Sequence, residues 1–209
     1  MTSVIFLNGA SSSGKTSIGQ ALQDILDRPY LLLGLDTIFQ TVPARWAGGS
    51  LGVFRQQGFE YLDMPPEDNH PVLGIGYGPV GWRMMVGFHR AVAEIVRAGN
   101  AVIIDEMLLD EAVRDHWLNV LRPFDPLLVG VYCDLAELEQ RERQRSAERH
   151  ELQGPTKEPK GPRVSYKGMA RWSARRVHAG LEYGVVVDTT HSDPVECAKT
   201  ILNSTERGP

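Results

Sequence analysis

Apolar residues along this chain occur in two alternating arrangements. Unbroken runs at 4–7 (VIFL), 30–33 (YLLL), 101–104 (AVII), 127–132 (LLVGVY) and 185–187 (VVV) have the length and composition of strands buried on both faces. Between them, residues 15–26, 81–97, 111–121, 135–149, 166–181 and 194–203 read as helices. In the 81–97 segment Trp82, Met85, Val86, His89, Val92, Ala93 and Val96 share one side, which predicts a core-facing helix with His89 as a structural histidine. Strands alternating with helices predict βαβ units and a parallel sheet covered on both faces, an α/β fold. Asp134 followed by Glu137, and Asp193-Pro194-Val195-Glu196, place a cap and an N3 acid at two helix starts.

Two stretches break the alternation. Residues 43–79 are rich in glycine, proline and aromatics without a clean period, and residues 153–162 (QGPTKEPKGP) read as a mobile polar loop. Alternation resumes after each, so the 209 residues are read as a single domain, 1–209, carrying an insertion at 43–80. Charge narrows the chemistry: 22 Lys and Arg against 26 Asp and Glu leave a net charge of -4, which argues against nucleic acid or an anionic membrane as partner. Cys133 and Cys197 lie far apart with no C-x-x-C spacing, so neither a disulfide framework nor a zinc cluster is expected. With no basic leader and no membrane-length apolar run, the expected location is the cytoplasm.

The strongest chemical signal follows the first strand. Gly9-Ala10-Ser11-Ser12-Ser13-Gly14-Lys15-Thr16, with Ser17 behind it, satisfies G-x-x-x-x-G-K-[ST] between a strand and a helix. Glycines let backbone N–H groups curl around phosphate oxygens at the positive end of a helix. Lys15 adds a cation near the terminal phosphates and Thr16 offers a hydroxyl to Mg2+. "AVIIDEM" ends a strand in two acids, of which Asp105 is the expected metal carboxylate and Glu106 its substitute; a helix cap is the plain alternative for Asp105. "YLLLGLD" delivers Asp36 to the carboxyl edge of the sheet, either as a base for an acceptor hydroxyl or as a cap for a helix opening at Thr37.

"FLNGASSSGKTS" and "GLDT", with "AGNAVIIDEMLL", "VGVYCD", "RERQR" and "GLEYGVVVDTTHSDPVECA", resemble the chloramphenicol phosphotransferases and their relatives, a family of P-loop kinases. The likeness covers most of the chain and is loosest over 43–79. It implies a three-layer P-loop kinase fold with a parallel sheet ordered 2-3-1-4-5 and a helical lid over 141–165. It also implies ATP and Mg2+ as cofactors, Asp36 as the catalytic base, and a hydroxylated small molecule as acceptor; a homo-oligomer is compatible with it. By similarity, Arg141 and Arg145 in "RERQR" and Arg163 in "GPRVSYKGMA" match lid arginines, with Arg145 and Arg163 placed on the transferring phosphate. An apparent insertion over 146–160 leaves Arg149 as an alternative to Arg145. "VDTTH" follows the last strand where related kinases hold the nucleotide base, which puts Thr189 beside it, or simply forms a turn.

Most remaining arginines between 141 and 176 are interleaved with acids and read as a solvated helix face. The 43–79 stretch offers mainly Arg45 and Arg55 among many apolar side chains, which favours an uncharged acceptor such as an antibiotic or a metabolite. Two rival readings remain: a P-loop kinase acting on a nucleotide, a nucleotide sugar or adenylylsulfate, and a nucleotide-binding module without transfer chemistry.

Overall fold

The computed structural model describes residues 2–48, 51–153 and 168–206. In chain order the elements are β1 (Val4–Gly9), α1 (Lys15–Ile25), β2 (Tyr30–Gly34), α2 (Leu35–Thr41), β3 (Phe59–Glu67), β4 (His70–Tyr77), α3 (Pro79–Arg97), β5 (Ala101–Glu106), α4 (Glu111–Leu121), β6 (Leu127–Tyr132), α5 (Leu135–Gln153), α6 (Met169–Ala174), β7 (Val185–Asp188) and α7 (Pro194–Glu206). The five apolar runs pair in parallel in the order β2-β5-β1-β6-β7. Counted among themselves this is 2-3-1-4-5, the order expected.

Strand alternation divides the core into two layers. Ile5 and Leu7 of β1, with Ala101 and Ile103 of β5, pack with α1 and α7, while Val4, Phe6, Val102 and Ile104 pack with α3 and α4. Trp117 of α4 is fully buried on the second layer, edge-on to Phe6 at 5.6 Å and stacked on His89 at 3.9 Å. His89 is thus the core histidine expected; burial, then the neighbouring His116, pulls its pKa down to about 3. No helix among the described residues is long and apolar enough to cross a membrane.

Several boundaries differ from expectation. The stretch read as lacking a period contains an antiparallel hairpin, β3–β4, turned by Asp68 and Asn69 at φ 51 and 62. Pro65 and Pro66 and the register shift between Met64 and Glu67 break the alternation that would have announced it. The helix expected over 166–181 is only Met169–Ala174, followed by turns through Gly180; its first two positions, and 154–162 of the polar loop, lie outside the described residues. At α7 the cap is reciprocal as expected, with Glu196 N–H donating to Asp193 at 2.8 Å and Asp193 N–H to Glu196 at 3.1 Å. At α5 it is not: Glu137 pairs with Arg141, and the Asp134 amide donates to Thr190 Oγ1.

The ends of β1, β2 and β5 meet with almost no spare room. A β-carbon at Gly34 would lie 2.1 Å from the Asp105 carbonyl oxygen, a clash with backbone that no rotamer relieves. Gly34→Ala is therefore expected to lower unfolding stability by about 1–3 kcal/mol, measured by urea denaturation. An unchanged midpoint would show that the two strands can separate freely here.

Candidate active site

β1 delivers the chain to the sheet's carboxyl edge, and residues 10–14 turn there into α1. Gly14 takes a left-handed φ of 87 at the helix start, and Ser12 sits at φ 67. A β-carbon at Gly9 would lie 2.5 Å from the Val131 carbonyl oxygen of β6, so glycine is required where the loop leaves the sheet. The strand end is fixed from behind by Asn8, which is buried, donates to Val177 O at 2.6 Å and Tyr183 Oη at 2.7 Å, and accepts from the Leu108 amide at 2.9 Å.

Lys15 opens α1 and is 7% exposed. Its Nζ donates to Ala10 O at 2.8 Å and lies 3.8 Å from Asp105 Oδ1. Burial lowers its pKa, opposed by the carboxylates of Asp105 and Glu106. Next to it, Thr16 Oγ1 donates to Asp105 Oδ2 at 2.5 Å. Two oxygen-bearing side chains thus converge beside the loop, a donor set of the kind a hard divalent cation takes.

The alternation of β5 separates the two neighbouring acids. Asp105 shares the α1 side with Ala101 and Ile103, while Glu106 turns to the α4 side and is buried, accepting from Met107 N at 3.0 Å and Trp117 Nε1 at 3.2 Å. Burial raises the Glu106 pKa to about 8. The cap of α4 is Asp110, whose carboxylate accepts from Val113 N at 2.9 Å, so the capping alternative for Asp105 is not realised.

Asp36 lies in the first turn of α2, exposed, with Gly34 at the N-cap. It is not the capping residue, because Thr37 Oγ1 accepts the Gly34 amide at 3.1 Å. Asp36 lines a cavity of about 710 Å³ together with Ser11, Ser12, Gly14, Lys15, Thr16, Ser17, Asp105, Arg141, Arg145 and Thr189. Gly9, Ala10 and Ser13 stand behind that lining: Ala10 and Ser13 are buried, and Ser13 O accepts from Thr189 Oγ1 at 2.9 Å. Arg141 donates to Thr189 O at 2.7 Å and is held by Glu137 at 2.8 Å, while Arg145 reaches the Ser12 hydroxyl. Arg163 and the side chain of Arg149 lie outside the described residues.

The aromatics of 43–79 and the start of α3 are expected to wall a pocket beside Asp36; of these Tyr61 lines the cavity, while Trp46, Phe54, Phe59, Tyr77 and Trp82 do not, and other lining residues carry no sequence assignment. Phe39 and Gln40 follow Asp36 at helical spacing, Tyr61 and Ile75 come from the hairpin, and Leu32, Leu33, Leu35, Met107 and Met169 add to the apolar side. Periodicity from Asp36 could have found the first two. Glu142, buried on α5, accepts from the Gly168 and Ala170 amides at 2.9 Å each; burial raises its pKa against these bonds.

Known proteins can be compared with this arrangement. The fold matches an APS kinase from Mycobacterium tuberculosis, solved with AMPPNP and APS, at a TM-score of 0.58 and 11% identity, covering 97% of this chain and 96% of that one. It also matches a sugar kinase from Janibacter sp. at 0.57 and 16%, covering 100% and 97%. The Deinococcus radiodurans tunicamycin resistance protein matches at 0.56 and 13%, covering 100% and 96%. In sequence, a Mycobacterium tuberculosis H37Rv protein provisionally named an O-phosphotransferase is 27% identical over 209 residues, 99% of this chain and 83% of the relative. A family model matches residues 2–206, and the chain belongs to the chloramphenicol phosphotransferase-like protein family.

Proposed function

We propose that this protein, a phosphotransferase of the kinase fold, moves the γ-phosphate of ATP to a hydroxyl of an uncharged, partly apolar small molecule. The observation that carries this reading is one cavity lined by Asp36, by Lys15 and Thr16 of the phosphate loop, and by Arg145 of α5, which reaches Ser12 of that loop. Asp36 accepts the proton of the acceptor hydroxyl, whose oxygen bonds the γ-phosphorus as the bond to ADP breaks. Lys15 and Arg145 neutralise charge on the phosphate, and Arg141 with Thr189 borders the nucleotide base. Thr16 and Asp105 would hold Mg2+, which would supply positive charge against the phosphates.

The walls support an uncharged acceptor. Beyond Asp36 they include Leu35, Phe39, Tyr61, Ile75, Met107 and Met169, with Thr37, Gln40, Glu142 and Ser146 among the polar groups. Neither arginine of the inserted stretch lines the cavity: Arg45 rests over the Phe54 ring at 5.0 Å, and Arg55 turns back to Gly52 O at 3.4 Å. A nucleotide or sulfate acceptor would leave its charge uncompensated there. Chloramphenicol and other hydroxylated antibiotics fit the class, as do metabolites of similar polarity.

Incubation with Mg-ATP and a panel of neutral hydroxylated antibiotics and metabolites should yield, by mass spectrometry, products heavier by one phosphoryl group. If only anionic acceptors are converted, the acceptor class is wrong. Asp36→Asn should retain nucleotide binding and lose transfer by about 100-fold or more; a variant that turns over normally removes Asp36 from the chemistry. Chelation with EDTA should abolish transfer and added Mg2+ restore it, because the cavity sets Asp36 and Asp105 beside any bound polyphosphate. Full activity without a divalent ion would contradict the role of Thr16 and Asp105.

A further inference from the structure

Ser173 stands outside the cavity lining and is fully buried in α6, yet it touches the phosphate loop. Its hydroxyl donates to Met169 O at 2.7 Å, which turns an oxygen lone pair toward the Ser11 amide, and that amide donates to it at 2.9 Å. The amide belongs to the peptide unit whose carbonyl is Ala10 O. The same carbonyl accepts Lys15 Nζ at 2.8 Å and Ser13 N at 3.2 Å. One planar peptide is therefore held at its N–H end by Ser173 and offers its other end to Lys15. Ser173 has no water-accessible surface, so this acceptor is presented to the loop from the protein interior.

We propose that Ser173 is a positioning residue of the nucleotide site: it fixes the Ala10–Ser11 peptide plane, and through the Ala10 carbonyl it places the Lys15 ammonium. The inference rests on the reading of this loop as a nucleotide site. α6 can serve as that anchor because it is itself held firmly. Its first turn is bound by Glu142 of α5, and Arg171, 6% exposed, pairs with Glu139 of α5 at 2.7 Å and with Asp68 at the hairpin tip at 3.2 Å. Trp172 packs against Gly74 of β4, where an added β-carbon would come within 3.1 Å of the indole.

The test is calorimetric titration of the full chain with Mg-AMPPNP, alongside the melting temperature of the unliganded protein. Ser173→Ala should weaken binding about tenfold, a larger effect than any loss of packing in α6 would give. Ser173→Cys, close in size and a weaker acceptor, should give an intermediate loss. A lowered melting temperature with AMPPNP affinity within twofold of the wild type would make Ser173 a packing residue only and overturn the proposal. If Ser173→Ala does not fold, the same criterion applies to Ser173→Cys, and wild-type affinity there overturns the proposal. Failure of the wild-type protein itself to bind Mg-AMPPNP would remove the nucleotide reading and this inference together, a result distinct from an effect confined to the variants.

Discussion

The arrangement at the sheet edge depends on keeping one ammonium group out of water. A buried lysine without partners would shed its proton or unfold its surroundings, since transfer of a charge from water costs far more than a hydrogen bond returns. Lys15 is held instead by a carbonyl of its own loop and by the Asp105 carboxylate, both placed by strands that pair with β1 or continue from it. Asp105 lies opposite Leu7 on one side and Gly34 on the other. The charge is thus compensated only while three neighbouring strands keep their register. Glycine at position 34 lets β2 approach β5 closely enough to do so, and glycine at position 9 lets β1 approach β6.

The same geometry explains why two adjacent acids behave differently. One step along β5 moves a side chain from the α1 face to the α4 face. Asp105 then meets a lysine and a threonine, while Glu106 meets an indole N–H and the Met107 amide. Glu106 has no cation in contact, and burial favours its neutral form. Asp105 keeps a cationic neighbour at 3.8 Å. The division of labour comes from strand parity rather than from any difference between aspartate and glutamate.

Much of this could be read from sequence because it is local. The loop glycines, Lys15 and Thr16 sit at fixed offsets between a strand and a helix, and the five apolar runs specify a parallel sheet without reference to distant residues. Parity along AVIIDE already separates Asp105 from Glu106 once Ile103 is taken to face α1. What could not be read is contact between segments far apart in the chain. Ser173 meets Ser11 across 162 positions and Asn8 meets Val177 across 169, and no periodicity links them. The hairpin was hidden for a different reason: consecutive prolines and a register shift erase the two-residue alternation that marks a strand. The capping role once open to Asp36 illustrates a third case, since backbone geometry gave the cap to Gly34 and left the carboxylate facing the cavity.

The cavity is polar at one end and apolar at the other, and the two ends are built by different parts of the chain. Residues fixed by the parallel sheet and α5 supply the cations, each balanced by an acid or held by a hydroxyl: Lys15 by Asp105, Arg141 by Glu137, Arg145 by Ser12. The β3–β4 hairpin supplies Tyr61 and Ile75, and Arg45 and Arg55, which precede it, contact Phe54 and Gly52 within their own loop. On the proposed reading, phosphate chemistry belongs to the scaffold, where strand register holds charges in place, and the acceptor meets walls shared by the hairpin, α2, Met107 and Met169. On the same reading, a change in the hairpin alters the acceptor end of the cavity without disturbing the buried Lys15–Asp105 pair, whereas a change at the sheet edge disturbs both at once.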